Sequence, residues 1–185
     1  DHGLQSGIIM MMVHTAIRAL SQIEQNDLRN IYNVVNKIVY EFRTKTNDYR
    51  FMSLLILKYM GEGRFKLTGQ HESILIMRQS GEIEEISSMD FGMYAGLDKD
   101  IDHMLKLHEF QLQSGDTLIL YTDGITEAMN AKQVEFGKEG IVKAALTMKS
   151  ESAEAIKDRI IDECFVHFEG TKIHDDLSLL VVKRR

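Results

Sequence analysis

The chain has 185 residues, 44% of them hydrophobic and 27% charged, with a net charge of -6. This is enough for one globular domain with a sizeable core and too little for two ordinary domains. The acidic balance, without any Lys/Arg cluster, argues against a nucleic-acid surface, which needs a basic patch. The longest apolar run, residues 7–13, is far short of the ~20 residues that cross a bilayer.

That run is followed by His14 and Arg18 and lacks the positively charged lead of a signal peptide, so the chain reads as cytoplasmic with no membrane segment. A single cysteine, Cys164, excludes an internal disulfide and fits a reducing compartment. The chain begins with Asp1 rather than Met, which points to a piece of a longer protein.

From Leu4 to about Gln25 the apolar pattern is helical. From Asn26 or Asp27 to Thr44, Leu28, Ile31, Val34, Val35, Ile38, Val39 and Phe42 recur every three or four residues and mark one stripe of an amphipathic helix. Asp27 suits its N-cap.

After "KTNDY" the period shortens. Residues 50–59, 64–69, 72–78 and 82–87 form short β-like runs separated by the glycine turns "MGEG" and "QSGE", the pattern of an antiparallel meander. Further strands are expected at 105–112 and, after "QSGD", at 117–122. Helices are expected at about 137–148 and 152–168. In the second, Ser152 is the N-cap, and Ile156, Ile160, Cys164 and Phe168 lie on one face. A last buried strand spans 177–183. Short strand connections make the sheets mainly antiparallel, and the class is α+β or a β-sandwich flanked by helices.

Acidic residues sit at the ends of the two most apolar strands. Asp123 follows "TLILYT", while Asp175 and Asp176 precede "LSLLVV". If those strands are antiparallel neighbours, the end of one and the start of the other share a sheet edge, and three carboxylates converge. Crowded carboxylates repel and lose hydration, so they call for a shared proton or a cation. All-oxygen ligation selects a hard ion, Mg²⁺ or Mn²⁺, over Zn²⁺. Such ions typically serve phosphoryl chemistry. The plainer alternative stays open on spacing alone: Asp123-Gly124 as a simple turn and Asp175-Asp176 as a solvated loop.

Other phosphate-handling chemistries lack their residues. A cysteine phosphatase needs Arg six positions after its nucleophile, and Gly170 stands there relative to Cys164. An aspartyl nucleophile two residues before Asp123 is excluded by Tyr121, and neither glycine-rich nucleotide loop is present. His14, His71, His103, His108, His167 and His174 are scattered and read as structural or solvated. His2 differs because it lies in "DHGLQSG", a glycine-bracketed turn of the kind that brings backbone groups close to ions or phosphate.

Together these stretches resemble the metal-dependent protein phosphatases of the PPM superfamily, in particular the bacterial SpoIIE/RsbU-type branch. "HGLQSG" resembles the branch's G-H-G-x-x-(A/S) turn, and "LTGQHESILIMRQSGEI" its N-A-G-H-x-P region. "SGDTLILYTDGITEAMNAKQVEFGKEGI" resembles G-D-x-L-x-x-Y-T-D-G-(V/I)-T-E-A-x-N…F-G, and "HDDLSLLVVK" the closing D-D-(I/L)-(T/S)-L-L-V.

The resemblance implies a β-sandwich of two mainly antiparallel sheets flanked by helix pairs, with a Mn²⁺ or Mg²⁺ pair at one edge. It assigns metal ligation to Asp123 and Asp175, and support to Asp176, Gly124, His2 and Gly3. No catalytic side chain is needed beyond metal-activated water. It also implies hydrolysis of phosphoserine or phosphothreonine on a partner protein, commonly a STAS-type anti-sigma-factor antagonist in stress signalling. An upstream sensor domain and a homodimer are further expectations.

Two departures qualify this. Asp1 stands at the first Gly of G-H-G, so the upstream strand with its metal Asp is expected to lie outside this chain, making residues 1–185 a single, N-terminally truncated phosphatase domain of reduced competence. "GQHES" replaces N-A-G-H-x-P. The competing reading is a catalytically silent regulatory or dimerisation module of the same fold.

Overall fold

Two helices open the chain in the structure, a computed structural model that describes residues 4–23, 27–47, 49–169, 171 and 176–185. Helix α1 spans Leu4–Leu20 and α2 Leu28–Thr46. Asp27 caps α2 as expected, its carboxylate accepting the Asn30 amide at 2.7 Å. The α2 stripe buries Leu28, Ile31, Val35 and Val39. Tyr32 and Asn36, which its periodicity did not single out, are buried with them. Asn36 is tolerated there because all its polar groups are used. Its Oδ1 accepts the Gly96 amide at 2.7 Å, and its Nδ2 donates to the carbonyls of Asp98 and Lys99 at 3.0 and 3.3 Å.

Contacts divide the chain into two compact units, Asp1–His71 with Ser88–Phe110, and Glu72–Ser87 with Gln111–Arg185. In the first, α1 and α2 pack together, and Ile9, Val13, Tyr32, Val35, Val39, Ala95, Ile101 and Leu105 form the core. Strand β1 (Leu54–Gly61) pairs antiparallel with β2 (Arg64–Gln70) through a turn in which Gly61, Glu62 and Gly63 all take positive φ. The sheet order is β1-β2-β5, in which β5 spans His108–Gln111.

In the second unit, β3 (Ile74–Met77), β4 (Ile83–Ile86), β6 (Thr117–Tyr121) and β7 (Leu179–Lys183) form an antiparallel sheet ordered β4-β3-β6-β7. Helix α3 is a single turn, Asp123–Thr126, and the longer helices are α4 (Gly137–Thr147) and α5 (Ala153–His167). Ser152 caps α5 by accepting the Ala155 amide at 3.2 Å. Ile156, Ile160 and Cys164 are fully buried and Phe168 nearly so, which makes Cys164 a small core residue. Burial pushes its thiol up to about 11.

The two antiparallel sheets with accompanying helices agree with the expected class. The single meander does not hold: β1-β2 and β3-β4 are hairpins of two different sheets. Strand β2 is flanked by β1 on one side and β5 on the other, so neither side is open to β3. The Gly69 amide donates to the Phe91 carbonyl at 3.0 Å, and Thr68 Oγ1 bonds the carbonyls of Phe91 and Lys106 at 3.2 and 2.9 Å. The first run also starts later than expected. Met52 makes only an isolated bridge with Ala95, and regular pairing begins at Leu54. No helix among the described residues is long and apolar enough to cross a membrane.

Candidate functional site

Strand β6 is central in its sheet, flanked by β3 and β7, and its run Thr117–Tyr121 is buried at every position except the partly buried Leu120. Burial on both faces is why it reads as a continuous apolar run rather than an alternating one. Antiparallel pairing with β7 runs from Thr117↔Lys183 to Tyr121↔Leu179. The end of β6 and the start of β7 therefore meet at one sheet edge, the condition on which convergence of the acidic residues depended.

Thr122 ties that edge together. Its amide donates to the Ser178 carbonyl at 3.1 Å. Its Oγ1 accepts the Ser178 amide at 3.1 Å and donates to the Asp176 carbonyl at 3.3 Å. Asp123 follows immediately, exposed at the start of α3, with Oδ1 accepting the Gly124 amide at 2.9 Å. The Asp123 carbonyl accepts the Glu127 amide at 2.7 Å and Thr126 Oγ1 at 3.2 Å. The Asp-Gly pair thus begins a helical turn, and Gly124 is absent from the glycines that take positive φ. Its contribution is an amide aimed at the Asp123 carboxylate.

Asp123 forms no ion pair with any described residue. An exposed carboxylate held by backbone geometry is a donor suited to a hard divalent ion. Asp176 is also exposed and its carbonyl is bound to Thr122. Asp175, His2 and Gly3 lie outside the described residues. Among the described residues no group of three or more His, Cys, Asp or Glu side chains could hold a metal ion. Asp123 is therefore at most one member of a larger ligand set.

The opposite end of β6 is pinned by a buried charge. Asp116, 2% exposed, accepts the amides of Gln113 at 2.8 Å and Gln79 at 3.0 Å and Arg78 Nη1 at 2.6 Å. Burial pushes its carboxyl up. The Gln113 amide, the Arg78 guanidinium and the Gln79 amide outweigh that and hold it below the usual carboxylate range. The backbone of Arg184 adds a second tie, donating to the Asp116 carbonyl at 2.9 Å and accepting the Gly115 amide at 2.8 Å. Beside the candidate site, burial and then the charges of Glu72, Glu85 and Glu139 push the Tyr121 phenol up, and its buried hydroxyl has no hydrogen-bond partner among the described residues.

Sequence reasoning singled out Asp123 and Asp176 but missed Thr122 and Asp116. Thr122 carries no signal except its place between the strand and Asp123. Asp116 was read as part of the turn "QSGD" and of the G-D-x-L resemblance, with no role given to it.

The architecture is that of a PP2C phosphatase domain. The chain aligns over 100% of its length with the SiaA-PP2C domain of Pseudomonas aeruginosa, at TM-score 0.78 and 15% identity, covering 72% of that chain. It likewise aligns over its full length with the phosphatase domain of SpoIIE from Bacillus subtilis presoaked with Mn, at TM-score 0.56 and 19% identity, covering 76% of that chain. Within that class, the Stage II sporulation protein E (SpoIIE) family matches residues 1–185, and the chain belongs to this family. Protein IcfG of Synechocystis sp. is 28% identical over 116 residues, a match that spans 62% of this chain and 17% of IcfG.

Proposed function

We propose that the chain is a metal-dependent protein serine/threonine phosphatase domain, in which Asp123 and Asp175 hold Mn²⁺ or Mg²⁺ and Asp176, Gly124, His2 and Gly3 support the site. The observation that carries this reading is the Thr122 clamp, which fixes Asp123 at the same sheet edge as the chain segment leading into β7. Membership of the SpoIIE family and the PP2C fold support it. The Mn presoak of the B. subtilis domain supports the choice of ion for this chain.

An ion held by Asp123 and Asp175 would supply Lewis-acid polarisation of the phosphoryl group and an activated water. The chain's own residues orient that chemistry. The Gly124 amide steers the Asp123 carboxylate, and Thr122 locks the strand ends. Cys164 is buried, and direct hydrolysis requires no side-chain nucleophile.

The substrate proposed is a phosphoserine or phosphothreonine of a partner protein, a STAS-type antagonist being the form the branch resemblance suggests. Hydrolysis of p-nitrophenyl phosphate with Mn²⁺ by the intact parent protein tests the reading. Asp123→Asn is expected to lower the rate by about a hundredfold or more, since it removes a ligand rather than the ligand's support. Full activity in Asp123→Asn would remove the assignment.

A further inference from the structure

Helices α4 and α5 pack on each other in the second unit, and a groove of about 500 Å³ opens between them. Its polar lining is cationic, although the chain carries a net charge of -6. Lys143 of α4 is exposed and has no hydrogen bond or ion pair with any described residue. Arg159 of α5 pairs through Nη2 with Glu163 at 2.5 Å, while its Nε–H is buried without a partner. Glu163 is the groove's one carboxylate and is committed to Arg159, so the Lys143 charge is uncompensated.

His167 closes one end. Its Nε2 donates to the Val134 carbonyl at 2.9 Å, and its ring meets Phe136 edge-on at 5.5 Å. Phe136 and Val166 add apolar surface, and Val166 is 67% exposed.

An unpaired, exposed ammonium, an ion-paired guanidinium and the apolar side chains Phe136 and Val166 in one inter-helical groove are complementary to carboxylates flanked by aliphatic side chains. We propose that the α4/α5 groove docks an acidic segment of a partner protein that carries aliphatic residues between its carboxylates. This site is separate from Asp123 and does not depend on metal binding.

Fluorescence anisotropy with a labelled peptide of alternating Glu and Leu, at low ionic strength where such pairing is strongest, tests it. The Glu peptide should bind, and a matched Gln–Leu peptide should not. Lys143→Glu should weaken binding by about tenfold or more without changing the thermal melt, because the side chain is exposed and unpaired. Lys143→Arg should restore binding, and Asp123→Asn should leave it unaltered, which separates this proposal from the metal assignment. The proposal is overturned if the Glu peptide fails to bind or the Gln peptide binds equally. It is also overturned if Lys143→Glu has no effect, or if inorganic phosphate alone displaces the peptide at matched concentration, which would mark a site for free anions.

Discussion

Thr122 and Asp116 hold the two ends of one buried strand by different means. At Thr122 a single hydroxyl serves as donor and acceptor across the β6–β7 edge. Thr122→Val keeps the shape and loses both bonds. It should cost about 1–2 kcal/mol in denaturant unfolding, and Thr122→Ser, which keeps the hydroxyl, should recover most of that. At Asp116 the carboxylate satisfies two amides and an arginine in a setting that is almost dry. Asp116→Ala should destabilise by about 2–4 kcal/mol, because those donors are left behind.

The sign of the pH effect at Asp116 follows from its lowered carboxyl. The unfolded chain binds this proton more readily, so the stabilisation is complete above the unfolded carboxylate pKa of about 4. It is lost as the pH falls through the folded value. Equilibrium unfolding between about pH 5 and pH 2 should therefore show a steeper acid loss in the wild type than in Asp116→Ala. A parallel decline in both proteins would show that Asp116 is not the group responsible. Neither residue's task was legible beforehand, because each depends on partners tens of residues away: Thr122 on Asp176 and Ser178, and Asp116 on Arg78 and Gln79.

Among the elements, helices α2, α4 and α5 and strands β6 and β7 follow from local pattern, since burial of one stripe or of both strand faces leaves a periodic signature. The Asp27 and Ser152 caps were equally legible, each being a single side chain bonded three residues ahead. What local pattern could not convey is which hairpin joins which sheet. That assignment is made by long-range pairing, of β2 with β5 and of β3 with β6. Within β2, Gly69 has φ +103° and lies where a Cβ would stand 2.3 Å from the Leu54 carbonyl and 2.4 Å from the Tyr32 ring.

Tyr32 holds its position through its hydroxyl, which donates to the Met93 carbonyl at 2.6 Å. The ring therefore has little freedom to withdraw. Gly69→Ala should cost about 3 kcal/mol or more, combining backbone strain with overpacking. Thermal melting is the check, and a loss below 1 kcal/mol would show that the sheet gives way at this point. The one-turn helix α3 was also hidden from pattern reasoning. Four residues are too few to show a helical period, and Asp-Gly is a common turn signal.

At the scale of the whole molecule, the chain crosses between its two compact units after His71, Ser87 and Phe110. Each unit has its own apolar cluster and its own sheet. All of the β6–β7 edge belongs to the second unit, so ion binding through Asp123 should register in the stability of that unit. A ligand held only by the folded state at a hundred times its Kd adds about 2.7 kcal/mol. Titration calorimetry with Mn²⁺, comparing the wild type with Asp123→Asn under identical buffer, is the most direct test of the central claim. The account predicts saturable Mn²⁺ binding that Asp123→Asn weakens by at least about tenfold, a loss of about 1.4 kcal/mol. Binding of equal affinity in the two proteins, or none in the wild type, would contradict it.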